Sequence, residues 1–326
     1  MLDPSDICWA WNLASILATW TPETGTIHRT LLLKTATANY ALRAYRYTAE
    51  ERWRVVCEHA LIAYVREHNL PAIAPVSLSN GATILEHAGR FYALYPFAPG
   101  QQVMRRHLMA GEIAAMGTFL GQLHRILRDY PHERVPHRSL SVDHAATLSN
   151  IGSIETAIRS QKHLSEQDQQ ALSQLAERRS WLMTAQPSSE EAFSSVEQQV
   201  IHGDYQETNL FFAEGKVSAI IDWDQAYVAP RAWEIVRTLH YVFQLDEVAC
   251  GTFLNAYRQA MPLAFHELEV VATAYEWIKA HDLWHYEALY LEGNQRVRPF
   301  LQPEPFFLFA NRWQTLRNFL CTHCDP

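Results

Sequence analysis

Residues 200–226 read VIHGDYQETNLFFAEGKVSAIIDWDQA, and this stretch decides the fold. Two short apolar runs, 210–212 and 217–221, flank Ala213-Glu214-Gly215-Lys216, which has the composition of a tight hairpin turn. Asn209 lies six residues before Gly215 and Asp222 seven after it, so pairing the two runs brings both side chains to the open end. An amide oxygen and a carboxylate are hard donors suited to Mg²⁺, which keeps several waters and binds through phosphate oxygens. Asp204, five residues before Asn209 on the approach to the hairpin, reaches the same end. A carboxylate there is placed to orient and deprotonate an acceptor hydroxyl.

His-Gly-Asp, an Asn five residues on, a hairpin and then Ile-Asp-Trp-Asp form a constellation. It resembles the catalytic core of the aminoglycoside phosphotransferase and choline kinase superfamily, the small-molecule branch of the protein-kinase-like fold. The resemblance implies that Asp204 is the catalytic base and that Asn209 and Asp222 are the Mg²⁺ ligands. It also implies that His202 supports the loop turn, with Asp224 beside it as a further supporting residue. Protein kinases carry Lys two residues after the catalytic Asp and an Asp-Phe-Gly motif; this chain has Gln206 and Asp222-Trp223-Asp224. Both departures favour the small-molecule branch.

Upstream, 30–34 and 39–45 read as a strand pair, and 82–86 and 90–97 as two more strands around a turn at His87-Ala88-Gly89. Between them Thr48 and Glu51 have capping-box spacing, and Trp53, Val56, Cys57, Leu61 and Val65 recur at helical intervals. Alternation puts Ala41 and Arg43 on one strand face. By the resemblance, Arg43 takes the place of the lysine that holds the α and β phosphates, and Glu58 is its helix partner. Arg keeps the charge of Lys and adds a planar fork, so Lys at 43 is expected to retain much of the function. Gly25 and Arg29 resemble the short phosphate-covering turn. The strand holding Tyr95 and Phe97, followed by Ala98-Pro99-Gly100, resembles the hinge whose backbone meets adenine.

From residue 98 onward the pattern is mainly helical. His124 matches a position that buttresses the catalytic loop. His281 and His285 have i, i+4 spacing, but Asp282 stands where a zinc protease carries Glu and no third ligand is near. Trp277, His281 and Trp284 are candidates for an acceptor pocket, with core packing as the alternative for helically spaced aromatics. Cys321 and Cys324 have ligand spacing without a second pair.

Composition bounds the rest. With 48% hydrophobic and 19% charged residues the chain is not disordered, and a net charge of -8 without a basic run gives no basis for nucleic-acid or anionic-membrane binding. No apolar stretch approaches the ~20 residues of a membrane helix. Five scattered cysteines and an acidic N-terminus fit the cytoplasm. The element pattern gives a small β-rich lobe followed by a mainly helical one, and the resemblance implies a bilobal α+β kinase-like fold, with a nucleotide lobe over 1–97 and a catalytic and acceptor lobe over 98–326. Its expected cofactors are ATP and Mg²⁺, and its partner a small-molecule hydroxyl. A nucleotide-binding regulatory protein without turnover and a protein Ser/Thr kinase are the alternatives.

Overall fold

Alternation over residues 29–44 builds the first sheet. Strands β2 (Arg29–Thr35) and β3 (Asn39–Ala44) pair antiparallel, with Leu32 opposite Ala41 and Thr30 opposite Arg43. β5 (Arg90–Pro96) lies on the far side of β3, and β4 (Leu85–His87) completes that edge. Only the last part of the strand expected over 82–86 joins the sheet. In this computed structural model, which describes residues 2–22, 28–137, 139–188, 190–301 and 309–323, β1 (Ile16–Trp20) forms the opposite edge, giving the order β1-β2-β3-β5-β4.

The sheet is buried on both faces by different helices. Leu33, Leu42, Tyr92 and Leu94 pack with Ile7 and Trp11 of α1 (Pro4–Trp11), a helix capped by Asp3, whose carboxylate accepts from the Ser5 and Asp6 amides. The other face joins Tyr45, Phe91 and Ala93 to Val55 of α2 (Arg52–Glu67). At the start of α2 the Glu51 carboxylate accepts from the Thr48 amide, one half of the expected capping box.

A polar network is enclosed between α2 and the sheet. The Tyr45 and Tyr95 hydroxyls lie 2.9 Å apart, His59 Nε2 lies 3.0 Å from Tyr95 Oη, and its Nδ1 lies 2.7 Å from Thr83 Oγ1. Burial, reinforced by the Arg43 charge, lowers the His59 pKa from 6.5 to about 4, so the ring is neutral at pH 7.

The described residues form two compact units, the first being Met1–His137, Gln199–Ala229 and Thr252–Pro262, and the second Arg138–Gln198, Pro230–Gly251 and Leu263–Pro326. The 97/98 junction lies inside the first unit, where Gln101 and Phe212 exchange two backbone hydrogen bonds of 3.0 and 2.8 Å. In the same unit α3 (Ala110–Leu127) presents Gly117 and Gly121 to residues of the helix Glu247–Ala260. A Cβ on Gly121 would lie 2.8 Å from both the Ala260 Cβ and the Tyr257 carbonyl. The second unit is helical, with Ile151, Ile154, Leu175, Leu182, Trp277 and Tyr286 in its core. Its buried Arg178 donates to the carbonyls of Lys279, Ala280 and Asp282, answering acceptors at the end of the helix Phe265–Ala280. Among the described residues no helix is long and apolar enough to cross a membrane.

Two stability outcomes are expected. Gly121→Val overpacks the helix contact and should cost about 1–3 kcal/mol in denaturant unfolding; an unchanged midpoint would refute the close approach. The depressed His59 pKa means that its contribution is present above pH 6.5 and is lost as pH falls toward 4. The melting temperature of the wild type should therefore drop relative to His59→Gln over that window. A constant difference would mean that His59 is not held neutral.

Candidate active site

The decisive segment forms a hairpin, entered by β6 (Gln198–Ile201) and followed by β9 (Tyr227–Pro230), which pairs with β6. Its own strands are β7 (Leu210–Ala213) and β8 (Lys216–Ile220), with Leu210 opposite Ile220 and a register shift between Phe211 and Phe212. Glu214 and Gly215 both have positive φ, the conformation of a tight primed turn. The Ile221 amide donates to the Asn209 carbonyl at 3.0 Å, which fixes Asn209 beside the residue preceding Asp222.

His202 ties the loop to the hairpin. Its Nδ1 accepts from the Asp204 amide at 3.3 Å, and its Nε2–H donates to the Ile221 carbonyl at 3.0 Å. Each partner can play only one role, so the bonds define the neutral tautomer. Gly203, at φ +82°, admits no side chain: a Cβ would run into the Gln225 backbone. The Asp204 carboxylate Oδ2 then accepts from Asn209 Nδ2 at 2.8 Å and from Gln206 Nε2 at 3.0 Å, which fixes its orientation. Asn209 Nδ2 also donates to the Asp204 carbonyl, leaving the amide oxygen as the atom of Asn209 able to ligate a cation.

Arg43 divides its fork between two carboxylates. Nη1 lies 3.1 Å from Glu58 Oε1 and Nη2 lies 2.8 Å from Asp222 Oδ1. Glu58 is buried, and burial pushes its carboxyl from 4.5 up to about 7 against the pull of Arg43. Asp222 sits in the left-handed region at φ 66°, with its side chain 37% exposed, and so faces open space. That space is a cavity of about 370 Å³. Leu32, Ala41, Phe211 and Ile221 give it apolar walls, Arg43 and Asp222 a charged end, and Pro96 to Ala98 a backbone edge. Asp222 and Asn209 supply two hard oxygens at the hairpin's open end, a donor set that fits a divalent cation such as Mg²⁺.

The other expected residues fall as follows. Tyr95 and Phe97 line the cavity, and the Phe97 amide already donates to the Asn39 carbonyl at 3.1 Å. Pro96 has no N–H, so of these hinge residues Ala98 offers the amide not used in the sheet. Arg29 is exposed and not a lining residue, because alternation along β2 turns Thr30 and Leu32 inward instead. Gly25 lies outside the described residues, as does Cys324. His124 is fully buried, its ring meets Tyr257 Oη at 2.9 Å, and its carbonyl accepts from Gln199 on β6. Trp277 and His281 are buried in the second unit, where His281 contacts His144 at 3.0 Å and the Trp277 carbonyl at 2.7 Å; Trp284 is 44% exposed. Among the described residues no cluster of three or more metal-ligating side chains forms, at His281 and His285 or elsewhere.

Four functional neighbours were missed. Tyr47 Oη donates to Asp224 Oδ1, and His28 Nε2 approaches the same oxygen at 3.1 Å. Burial acts to raise the Asp224 pKa, but the His28 and Tyr47 contacts hold it below 3.8. Tyr45 flanks Arg43, and His59 stands behind Tyr45. The period-two run Arg43, Tyr45, Tyr47 was the available signal for the tyrosines; nothing local marks His28 or His59.

Comparison with known proteins bears on the fold and the family. The serine/threonine protein kinase RdoA of Salmonella typhimurium is 29% identical over 108 residues, which is 28% of this chain and 32% of that protein, so the match spans about a third of the relative's length. The solved spectinomycin phosphotransferase in complex with ADP and spectinomycin superposes with a TM-score of 0.63 at 12% identity, covering 99% of this chain and 94% of that one. An amicoumacin kinase bound to AMP-PNP and Ca²⁺ gives a TM-score of 0.57 at 16% identity, covering 94% and 95%. The phosphotransferase enzyme family matches residues 21–269, and the chain belongs to that family.

Proposed function

We propose that this phosphotransferase moves the γ-phosphate of ATP, bound with Mg²⁺, to a hydroxyl of a small molecule. The observation that carries the reading is the Arg43 fork, held between Glu58 and Asp222 at the charged end of a cavity with apolar walls. A nucleotide's base fits the walls, and its phosphates fit the charged end. The nucleotides held by the two structural neighbours support this assignment.

In this reading Asn209 and Asp222 would hold Mg²⁺, which would supply positive charge to the nucleotide's phosphates. Arg43 holds the α and β phosphates while Glu58 keeps it in place. Asp204, oriented by Asn209 and Gln206, accepts the proton of the attacking hydroxyl. His202 and Asp224 fix the loop on either side. Trp284 is the exposed member of the aromatic candidates for acceptor contact, while Trp277 and His281 serve packing. A protein hydroxyl is the second acceptor class, favoured by the partial match to a kinase named for serine and threonine.

The two carboxylates separate by experiment. Asp204→Asn should bind Mg²⁺-ATP with near wild-type affinity and lose about 10² to 10⁴ in turnover. Asp222→Asn should weaken nucleotide binding measured with Mg²⁺ more than without it. Calorimetric titration of both variants, with ATP-consumption assays over aminoglycosides, amino alcohols, sugars and a Ser/Thr peptide, checks the roles and the acceptor together. Loss of nucleotide binding in Asp204→Asn with full function in Asp222→Asn would reverse the assignment.

A further inference from the structure

Lysine is the residue that Arg43 replaces, and the obvious expectation is that the two are interchangeable. The surroundings of Arg43 argue otherwise. Its two terminal nitrogens serve two different carboxylates, Nη1 with Glu58 and Nη2 with Asp222. Its Cζ lies 6.0 Å from the ring centroids of both Tyr45 and Tyr95, within reach of a cation–π attraction to each. The rings are themselves held from behind, since the two hydroxyls meet at 2.9 Å and His59 contacts both, at 3.0 Å to Tyr95 and 3.4 Å to Tyr45. Thr83 anchors the far side of His59.

We propose that lysine cannot substitute for Arg43 in this phosphotransferase, and that Tyr45 and Tyr95 are positioning residues that steer the guanidinium so that one arm meets Glu58 and the other Asp222. The inference deepens the reading of Arg43 as the phosphate-holding cation and rests on it. An ammonium concentrates its charge at one nitrogen at the end of a flexible stem and cannot span two separately placed carboxylates as a planar fork does. It is also more strongly hydrated, so enclosure among phenol rings costs it more. Two aromatic faces therefore favour the delocalised cation over the compact one.

The test is a double-mutant cycle read as the Kd for Mg²⁺-AMP-PNP by calorimetry, with Mg²⁺-GMP-PNP in parallel. Arg43→Ala and Arg43→Lys should both weaken binding by about tenfold or more, to similar extents. Tyr95→Leu should weaken binding several-fold in the wild type and by less than about twofold in Arg43→Lys, because its effect passes through the guanidinium. A purely structural role for Tyr95 would give equal losses in both backgrounds, which overturns the proposal. Tyr45→Leu provides a second cycle of the same form should Tyr95→Leu fail to fold. Near wild-type affinity in Arg43→Lys together with a large loss in Arg43→Ala refutes the inference and leaves the phosphate-holding role intact. Wild-type affinity in Arg43→Ala removes that role, and the inference with it.

Discussion

Arg43 carries its charge to a position where only 17% of its side chain meets solvent, and two carboxylates from separate elements answer it there. Strand β3 supplies the cation, helix α2 supplies Glu58, and the turn after the β7–β8 hairpin supplies Asp222. Desolvation of a buried carboxylate such as Glu58 costs several kcal/mol, and only close, well-directed pairing offsets it. Glu58 demonstrates the balance: burial alone would neutralise it, and Arg43 opposes that shift. The packing of α2 on the sheet through Val55 and the pairing of β3 with β2 therefore have to be accurate, since each fixes one corner of a charged triangle.

Two aspartates separated by a single residue meet opposite fates, and backbone conformation decides which is which. Asp222 adopts a left-handed φ, which turns its carboxylate toward Arg43 and the cavity. Asp224 follows on a short 3₁₀ turn, with its side chain 3% exposed and occupied by Tyr47, His28 and Gln225. Its lowered pKa follows from those donors, which favour the charged form despite burial.

The hairpin was legible because turn composition and strand counting are local, and Asn209 and Asp222 follow from pairing alone. Arg43 and Glu58 were legible through the resemblance, with strand alternation adding only the face on which Arg43 lies. The tyrosine and histidine network was not, because residues 45, 59, 83 and 95 meet only once two elements have packed on the same sheet face. Strand β1 escaped for another reason: its burial runs from half-buried Ile16 to exposed Trp20 without alternation, as an edge strand permits. Trp277 and His281 had the composition of a binding box and the location of a core, and sequence spacing is the same in both cases.

The same contrast explains how a fold can persist at 12% and 16% identity. Positions such as Leu33, Leu42 and Leu94 need apolar volume, and many combinations fill a core adequately. Gly203 has no such freedom, because any side chain meets the Gln225 backbone, and His202 must accept at one nitrogen while donating at the other. Information about chemistry is thus concentrated in a few polar and glycine positions of the first unit. The second unit shows no comparable constraint of charge and backbone at Trp181, Trp277 and His281, whose rings pack against one another. The polar geometry of the hairpin is therefore readable from residue identity, whereas the surface that packing leaves around an exposed aromatic such as Trp284 is not.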